Sequence, residues 1–138
     1  MGGDLWEVAR VKLKPDLYLD VDGVLLFLDK TENLWLMNLI DAGKKFGLFG
    51  KIYWLSAWTC MGTTDQLYRE HPTFKRLKAK PLYWKNLKTE AIDWTRPFIW
   101  IEDGVLPEER AVFHLKAIAG QQIWEVRPGE NNFPQPLP

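Results

Sequence analysis

The stretch that decides the fold is LYLDVDGV, residues 17–24, where an apolar run ends in two carboxylates and a glycine. Short, continuously apolar runs are typical of strands that are buried on both faces of a parallel sheet. Asp20 and Asp22 stand two positions apart, so a regular strand would point both side chains the same way. Gly23 allows a bend that aims Asp22 differently. The stretch therefore predicts a buried strand that opens directly into a polar site.

Similar strands alternate with helical segments along the chain. The predicted strands are DLYLDV (16–21), GKIYWLS (50–56), residues 81–84, RPFIWIED (96–103) and QQIWEV (121–126), and VLLFLD (24–29) is predicted to form a small hairpin. The predicted helices are residues 33–46, 64–78 with a break near Pro72, 87–94 and 107–119. This alternation predicts an α/β fold in which a parallel sheet carries helices on both faces, giving three layers.

The length of 138 residues fits a single domain over residues 1–138. Near its start, VARVKLK (8–14) is interpreted as a short edge strand or a lead-in to the first buried strand. At its end, residues 127–138 form a proline-rich tail that is predicted to be irregular or extended.

The composition excludes several classes of protein. Acidic and basic residues balance at 18 each, so net charge gives no general attraction to nucleic acid or membrane. Cys60 is the one cysteine, which excludes a disulfide framework and makes a reducing, cytoplasmic location the simplest interpretation. No apolar run approaches the roughly 20 residues that span a bilayer. Most of the eight tryptophans are expected to fill the core.

Polar side chains follow three of the predicted strands where each strand ends. Asp20 follows the first, Ser56 the second, and Glu102 and Asp103 the third. In open α/β sheets, ligands bind beyond the carboxyl ends of the strands. Carboxylates that converge there would repel one another without a cation, and hard oxygen ligands suit Mg²⁺. The sequence therefore predicts a magnesium site suited to phosphate chemistry.

Four stretches of the chain resemble, in the right order, the four motifs of the haloacid dehalogenase (HAD) superfamily. They are LYLDVDGV, IYWLSAWT, KTEAI and FIWIEDG, and together they cover most of the chain from about residue 17 to about residue 104. Each motif alone is a weak signal, whereas the ordered set is a strong one. The pairing of WLSAWT with FIWIEDG also resembles small HAD domains of phage and RNA-repair proteins. The resemblance implies a three-layer, Rossmann-like fold.

The resemblance also implies a role for each motif residue. Asp20 would be the nucleophile that forms an aspartyl-phosphate, and Asp22 would protonate the leaving oxygen and later activate water. Ser56 and Lys88 would bind phosphoryl oxygens. Lys85 lies one helical turn before Lys88 and is the alternative third-motif lysine, although the start of a helix at KTEAI favours Lys88.

The metal ligands implied by the resemblance are the carboxylate of Asp20, the backbone carbonyl of Asp22, and Asp103. The fourth motif commonly has two aspartates, whereas this chain has Glu102 before Asp103. The role of Glu102 is therefore left open: it is either an alternative metal ligand or a residue that contacts the ligands without binding the metal.

HAD enzymes that act on small molecules usually carry a cap domain after the first motif or between the second and third. The segments 23–51 and 56–88 are too short for a self-standing domain. A capless, open site would admit a large substrate such as a nucleic-acid end or a phosphoprotein, or would be closed by a partner subunit.

The stretch KRLKAKPLYWKNLK, residues 75–88, has six basic residues, two aromatic residues and no acid. Basic residues interleaved with aromatics suit single-stranded nucleic acid, through phosphate contacts and base stacking. The commoner alternative is a solvated helix face with two core aromatics. Because the stretch runs into Lys88, it is expected to approach the site. Candidate substrate contacts are Lys85, Trp84 and Trp58, and Trp58 would otherwise pack beneath its loop.

Three functions remain open from the sequence. The first is a Mg²⁺-dependent phosphatase acting on a nucleic-acid end or nucleotide. The second is a phosphatase for a phosphoprotein or small metabolite, and the third is a non-catalytic binding module with the same fold. A basic surface stripe continuous with the mouth of the site would favour the first over the second.

Overall fold

The computed structural model describes residues 14–126 and 134–137, and its centre is a six-stranded sheet. The strands are β1 (Asp16–Leu19), β2 (Ile52–Trp54), β3 (Lys80–Pro81), β4 (Phe98–Glu102), β5 (Gln121–Glu125) and β6 (Gln135–Pro136). Their order across the sheet is β3-β2-β1-β4-β5-β6. The first five strands in this order pair in parallel, and β6 pairs antiparallel to β5. The predicted α/β class and parallel sheet are confirmed.

Helical segments connect these strands. They are α1 (Leu34–Lys45), α2 (Ala57–Cys60), α3 (Thr64–Glu70), a first 3₁₀ helix (Pro72–Leu77), a second 3₁₀ helix (Lys88–Ala91) and α4 (Pro107–Lys116). The break predicted near Pro72 lies where α3 gives way to the first 3₁₀ helix, because proline cannot continue an α-helix. The prediction missed α2, whose single turn is too short to show an apolar periodicity.

Two predicted elements are shorter in the structure. Of the helix expected over 87–94, the structure has the second 3₁₀ helix alone. Beyond it, the N–H of Asp93 donates a hydrogen bond to the hydroxyl of Tyr18, which holds the chain against the sheet. The strand expected over 81–84 is the two-residue β3. The N–H of Leu82 still donates to the carbonyl of Trp54, and the chain then leaves the sheet at Trp84, whose backbone bonds to Cys60.

Alternate residues of the strands supply two hydrophobic cores, one on each face of the sheet. Leu17 and Leu19 of β1 face a core shared with α1, α3 and the first 3₁₀ helix. Tyr18, between them, faces a second core that includes Ile92 and Phe113, next to the second 3₁₀ helix and on α4. Helices therefore cover both faces, as predicted. Six of the seven described tryptophans belong to or pack against these cores: Trp54, Trp58, Trp84, Trp94, Trp100 and Trp124.

The ends of the chain are partly outside the described residues. The predicted lead-in at 8–14 lies there except for its last residue, and so does most of the tail. The described part of the tail is extended, because Gln135 and Pro136 pair with β5 at the edge of the sheet. No helix in the described ranges is long and apolar enough to cross a membrane.

Asn33 ties α1 to the loop that follows β1. Its side-chain oxygen accepts a hydrogen bond from the N–H of Leu36 at 3.2 Å, which caps the helix. Its side-chain nitrogen donates to the carbonyl of Val24 at 3.1 Å. Because Asn33 is 3% exposed, both bonds are shielded from water. One side chain therefore holds the start of α1 against the bend beyond the first acidic pair.

We expect Asn33→Ala to lower the free energy of unfolding by roughly 1–2 kcal/mol, because the cap is lost and the carbonyl of Val24 is left without its partner. Urea unfolding followed by circular dichroism measures this. Asn38 is exposed on the same helix, so Asn38→Ala is the matched control and should be neutral or slightly stabilising. Equal losses in the two variants would contradict the assigned role of Asn33.

Candidate active site

The register of the sheet brings the motif residues to one edge. Leu19 of β1 lies between Trp54 of β2 and Ile101 of β4. The next residues along these three strands therefore emerge together, and the N–H of Asp20 still bonds to the carbonyl of Ile101 at 3.1 Å. In the order β3-β2-β1-β4-β5 the direction of winding reverses between β1 and β4. This is the topological switch point at which open α/β sheets bind ligands.

Three carboxylates meet at this switch point. One oxygen from each of Asp20, Glu102 and Asp103 lies within 4.8 Å of the others. Asp20 is 6% exposed and Glu102 is 4% exposed, whereas Asp103 is partly exposed. A second oxygen of Asp20, Oδ1, accepts a hydrogen bond from the N–H of Val21 at 2.8 Å, which fixes the orientation of that carboxylate.

Lys88 supplies the positive charge in this cluster. Its Nζ donates to both oxygens of Glu102 at 2.9 Å and lies 3.4 Å from Oδ2 of Asp20. The same Nζ lies 5.5 Å from the centre of the Trp84 ring, a cation–π contact. The structure thus brings Lys88 to the cluster, as favoured by the sequence. Lys85 is exposed, and its N–H donates to the carboxylate of Glu90 on the surface.

The electrostatics of the cluster favour binding of protons or of a cation. Burial, and next the neighbouring charge of Asp20, raise the pKa of Glu102 despite the opposing effect of Lys88. Burial and the adjacent Asp20 carboxylate raise the pKa of Asp103 to about 6. Burial alone would lower the pKa of Lys88, but the charges of Asp20 and Glu102 outweigh it and raise that pKa. Three carboxylates facing one ammonium leave a surplus of negative charge.

The three carboxylates could hold a metal ion, and their oxygen ligands are compatible with Mg²⁺ among other hard cations. Hard carboxylate oxygens that converge in a partly hydrated pocket are the ligands that this ion prefers. Both oxygens of Glu102 accept hydrogen bonds from Lys88, which favours Asp103 over Glu102 as the acid of this pair that would contact a cation. This distinction between Glu102 and Asp103 was open in the sequence.

Gly23 makes room for Asp103. A side-chain carbon at position 23 would collide with the carboxylate of Asp103, and the backbone of Gly23 has a positive φ of +77° that other residues rarely adopt. The glycine of the first motif therefore serves two purposes. It makes the bend after Asp20, as predicted, and it admits the acid of the fourth motif against the backbone of the first.

Asp22 and Ser56 lie outside the acidic cluster. The Asp22 side chain is 48% exposed and pairs with Lys30 at 3.2 Å, so its carboxylate is not part of the acidic cluster. Ser56 is 1% exposed and caps α2, where its Oγ accepts a hydrogen bond from the N–H of Trp58 at 3.3 Å. Leu55, just before it, donates to the carbonyl of Leu19, so Ser56 lies at the same edge as Asp20.

Glu109, in the first turn of α4, supports the site although the sequence does not single it out. It is 2% exposed, and its carboxylate accepts hydrogen bonds from the N–H of Lys88 at 2.9 Å and of Leu106 at 3.0 Å. It thereby holds the backbone of Lys88 against the start of α4. The signal in the sequence was an acid in the first turn after Pro107, which predicts a local cap and says nothing about a contact 21 positions away.

The aromatic candidates are partly buried. Trp58 packs against the first core and Trp84 against the second, which supports packing roles for both rings. Trp84 also touches Lys88 and so lies beside the site. Cys60 holds the backbone of Trp84 through two hydrogen bonds. Its thiol donates to the carbonyl of Trp84 at 3.2 Å, and its sulfur accepts from the N–H of Trp84 at 3.5 Å.

The basic stretch approaches the site only at its far end, which corrects the expectation for its first half. Lys80 is the first residue of β3, and Lys78 lies two residues before it. Both are therefore at the amino-terminal edge of the sheet. Because β3 runs parallel to β2, the chain crosses the sheet before it reaches Trp84 and Lys88 at the opposite edge. Between the second motif and Lys88, buried residues Leu67, Phe74 and Leu77 join the first core, so these segments form part of the helical layer rather than a cap.

Comparison with protein-family models, with curated proteins and with solved structures found no match to this chain. The site therefore has to be interpreted from its own geometry and from the resemblance of its motifs.

We expect Gly23→Ala to weaken Mg²⁺ binding at least tenfold, because the new methyl group displaces Asp103. Isothermal titration calorimetry measures the affinity. Gly62→Ala is the matched control, since Gly62 has the same φ of +77° and nothing within 4 Å of its would-be side chain. Both variants bear the strain of a positive φ, so equal Mg²⁺ affinities would show that Asp103 is not a ligand.

A second prediction concerns pH. Folding raises the pKa values of Asp103 and Glu102. The contribution of these two groups to the free energy of unfolding is therefore complete below about pH 4, where they are protonated in the unfolded chain as well. It is lost as the pH rises through about 6 and above. Mg²⁺ needs the ionised forms, and at about a hundredfold excess over Kd it adds roughly 2.7 kcal/mol. Thermal unfolding should show a larger Mg²⁺-induced rise in Tm near pH 8 than near pH 5.

Glu70→Gln, which changes an exposed acid on α3, should leave this difference intact, whereas Asp103→Asn should abolish most of it. A rise in Tm that is equal at both pH values would contradict the assignment of the ionised cluster as the metal site.

Proposed function

We propose that this protein is a Mg²⁺-dependent phosphohydrolase of the HAD type that forms an aspartyl-phosphate on Asp20 and acts on an accessible phosphate of a nucleic-acid end or nucleotide. The observation that carries the proposal is the meeting of Asp20, Lys88 and Asp103 at the topological switch point. These residues come from three of the four motif stretches, which are distant in sequence.

The first half of the reaction would transfer the phosphoryl group. An Asp20 oxygen forms a bond to phosphorus while the bond from phosphorus to the ester oxygen breaks, and Asp22 gives that oxygen a proton. Lys88 stabilises negative charge on the phosphoryl oxygens as it develops. Ser56 would add a hydrogen bond from its hydroxyl, whose own proton is not needed to cap α2.

The second half would hydrolyse the aspartyl-phosphate. Asp22, now ionised, takes a proton from a water molecule as that water attacks phosphorus, and the bond to Asp20 breaks to release phosphate. Asp22 must leave Lys30, and take up a proton, before it acts as the acid in the first half, and it stays away from Lys30 to act as the base in the second. The cost is small, because exposed ion pairs contribute about 0–1 kcal/mol.

The residues that would hold Mg²⁺ are Asp20, Asp103 and the backbone carbonyl of Asp22. When bound, the ion would offset the charge of the cluster so that an anionic phosphate can approach the carboxylate nucleophile. The chain's own contribution is to bury Asp20, fix its Oδ1 on the N–H of Val21, and hold Lys88 at Oδ2.

The competing function is a non-catalytic binding module, and one observation favours it. The Asp22 carboxylate pairs with Lys30 instead of pointing into the cluster. A binding module would retain Mg²⁺ and phosphate affinity without turnover.

The deciding measurement is phosphatase activity with Mg²⁺ on p-nitrophenyl phosphate, mononucleotides and end-phosphorylated oligonucleotides. We expect Asp20→Asn to lower kcat at least about a thousandfold, because the nucleophile is lost. Asp65→Asn, an exposed acid on α3, is the matched control and should leave kcat unchanged. Mg²⁺ binding without turnover on any phosphate ester would instead establish the binding module.

Asp22→Asn separates the acid–base role from a structural one. Loss of proton transfer should lower kcat about 10²–10⁴-fold on nucleotides, whose leaving oxygen needs a proton. The loss should be smaller on p-nitrophenyl phosphate, because its leaving group departs readily as an anion. Equal losses on both substrates would contradict a role for Asp22 as the acid.

A further inference from the structure

A group of lysines lies at the edge of the sheet opposite the acidic cluster. They line an open pocket of about 320 Å³ at the amino ends of β2 and β3. Its lining includes four lysines, Lys44, Lys51, Lys78 and Lys80, and none of the described residues that line it is acidic. We call it the lysine pocket. Lysines from α1, from the start of β2 and from both sides of Ala79 are thus gathered in one place by the fold.

The positive charge of the lysine pocket is largely uncompensated. Lys44 is engaged with backbone, since its Nζ donates to the carbonyls of Arg76 and Leu77. The other three lysines have exposed side chains. The carboxylate of Asp16 accepts a hydrogen bond from the N–H of Lys51.

Neither acid beside the pocket cancels this charge. Asp16 is 1% exposed and is neutralised by Arg96, whose Nε lies 2.9 Å from it. Hydrogen bonds from the hydroxyl and the N–H of Thr95 lower the pKa of Asp93, so this acid carries a negative charge that offsets part of the charge of Lys51 at longer range and leaves the other lysines uncompensated. An anion would therefore meet a site of net positive charge.

An exposed path leads from the lysine pocket toward the acidic cluster. It follows β3, which is the edge strand of the sheet, and the loop beyond it. The exposed residues along this path are Lys78, Lys80, Tyr83 and Lys85, and the next basic residue is Lys88 in the site. Tyr83 is 64% exposed, so its ring is accessible to a planar ligand. Lys80 and Lys85 are five residues apart, so their backbones are at most about 18 Å from each other.

We propose that the lysine pocket is a second phosphate-binding site, which holds the backbone of a single-stranded nucleic acid whose terminal phosphate lies at Asp20. This inference rests on the proposed function and adds that the substrate is a strand of several nucleotides rather than a mononucleotide. The pocket supplies phosphate contacts, and Tyr83 supplies a face on which a base stacks. A phosphoprotein has neither a continuous phosphate backbone for the lysines nor bases that stack on Tyr83.

The kinetic test is a comparison of substrates of different length. The double variant Lys78→Gln/Lys80→Gln should raise KM several-fold for an end-phosphorylated single strand of about ten nucleotides. Its kcat, and its KM for mononucleotides and p-nitrophenyl phosphate, should stay unchanged. Lys116→Gln, at the end of α4 and outside the pocket, is the matched control and should change nothing. Equal KM changes for long and short substrates would overturn the proposal.

A binding test separates this inference from the proposed function. Fluorescence anisotropy with Asp20→Asn protein measures affinity for labelled strands without turnover. For each lysine contact removed, the slope of log K against log salt should fall by about 0.7, so by about 1.4 for the double variant. If turnover is absent but this change in slope is found, the lysine pocket stands and the catalytic proposal fails. An unchanged salt slope and an unchanged affinity would overturn the assignment of the lysine pocket as a phosphate-binding site, whether or not turnover is found.

Inorganic polyphosphate distinguishes a nucleic acid from any chain of phosphates. Tyr83→Ala should weaken binding of single-stranded DNA or RNA and leave polyphosphate binding unchanged, because polyphosphate has no base to stack. If polyphosphate competes as well as the oligonucleotide and Tyr83→Ala has no effect on either, the site binds polyanions in general and its assignment to nucleic acid is wrong.

Discussion

The contact of Lys88 with Glu102 and Asp20 is the constraint on which the site depends. Two carboxylates that are 6% and 4% exposed cannot both be ionised at close range without a partner, since burial and like charge each disfavour the charged form. The ammonium lies 2.9 Å from one and 3.4 Å from the other. Removing it would leave buried, unpaired charge, which is among the most destabilising changes a protein can undergo.

Much of the surrounding structure holds this lysine in place. The carboxylate of Glu109 binds its backbone N–H, and the ring of Trp84 lies against its ammonium. Cys60 in turn clamps the backbone of Trp84 to the helix that follows the second motif. Residues as far apart in sequence as Cys60 and Glu109 thus help to position one lysine. An ammonium held in this way is oriented by the fold itself, and such preorganisation is what makes a charged group effective in electrostatic stabilisation.

The fold places acidic and basic residues at opposite edges of the sheet, and the composition alone does not show this separation. The chain has equal numbers of acidic and basic residues, and net charge alone gave no reason to expect a polyanionic ligand. In the structure, carboxylates gather at the carboxyl edge of the sheet and lysines at the amino edge. Because exposed charges act over about 10 Å at ordinary salt, two such edges behave as separate surfaces rather than as a neutral average.

The sequence by itself determined the alternation of strands and helices and the residues that end each strand, because apolar periodicity and strand-end polarity are local properties. It thereby predicted that Asp20, Ser56 and the Glu102–Asp103 pair share one edge. Only the tertiary structure decided that Lys88 rather than Lys85 enters the cluster, since the two are three residues apart and differ in the carboxylates that lie near them.

Tertiary packing also decided the closest contacts of the site. The fit of Asp103 against Gly23 and the reach of Glu109 to Lys88 join residues 80 and 21 positions apart. Such contacts have no local signature, because their energies depend on which backbones the sheet brings together. For the same reason the lysine pocket was not evident in the chain, where Lys44 and Lys51 stand well before Lys78 and Lys80. A parallel sheet returns each strand to the same edge, and that return places these lysines side by side.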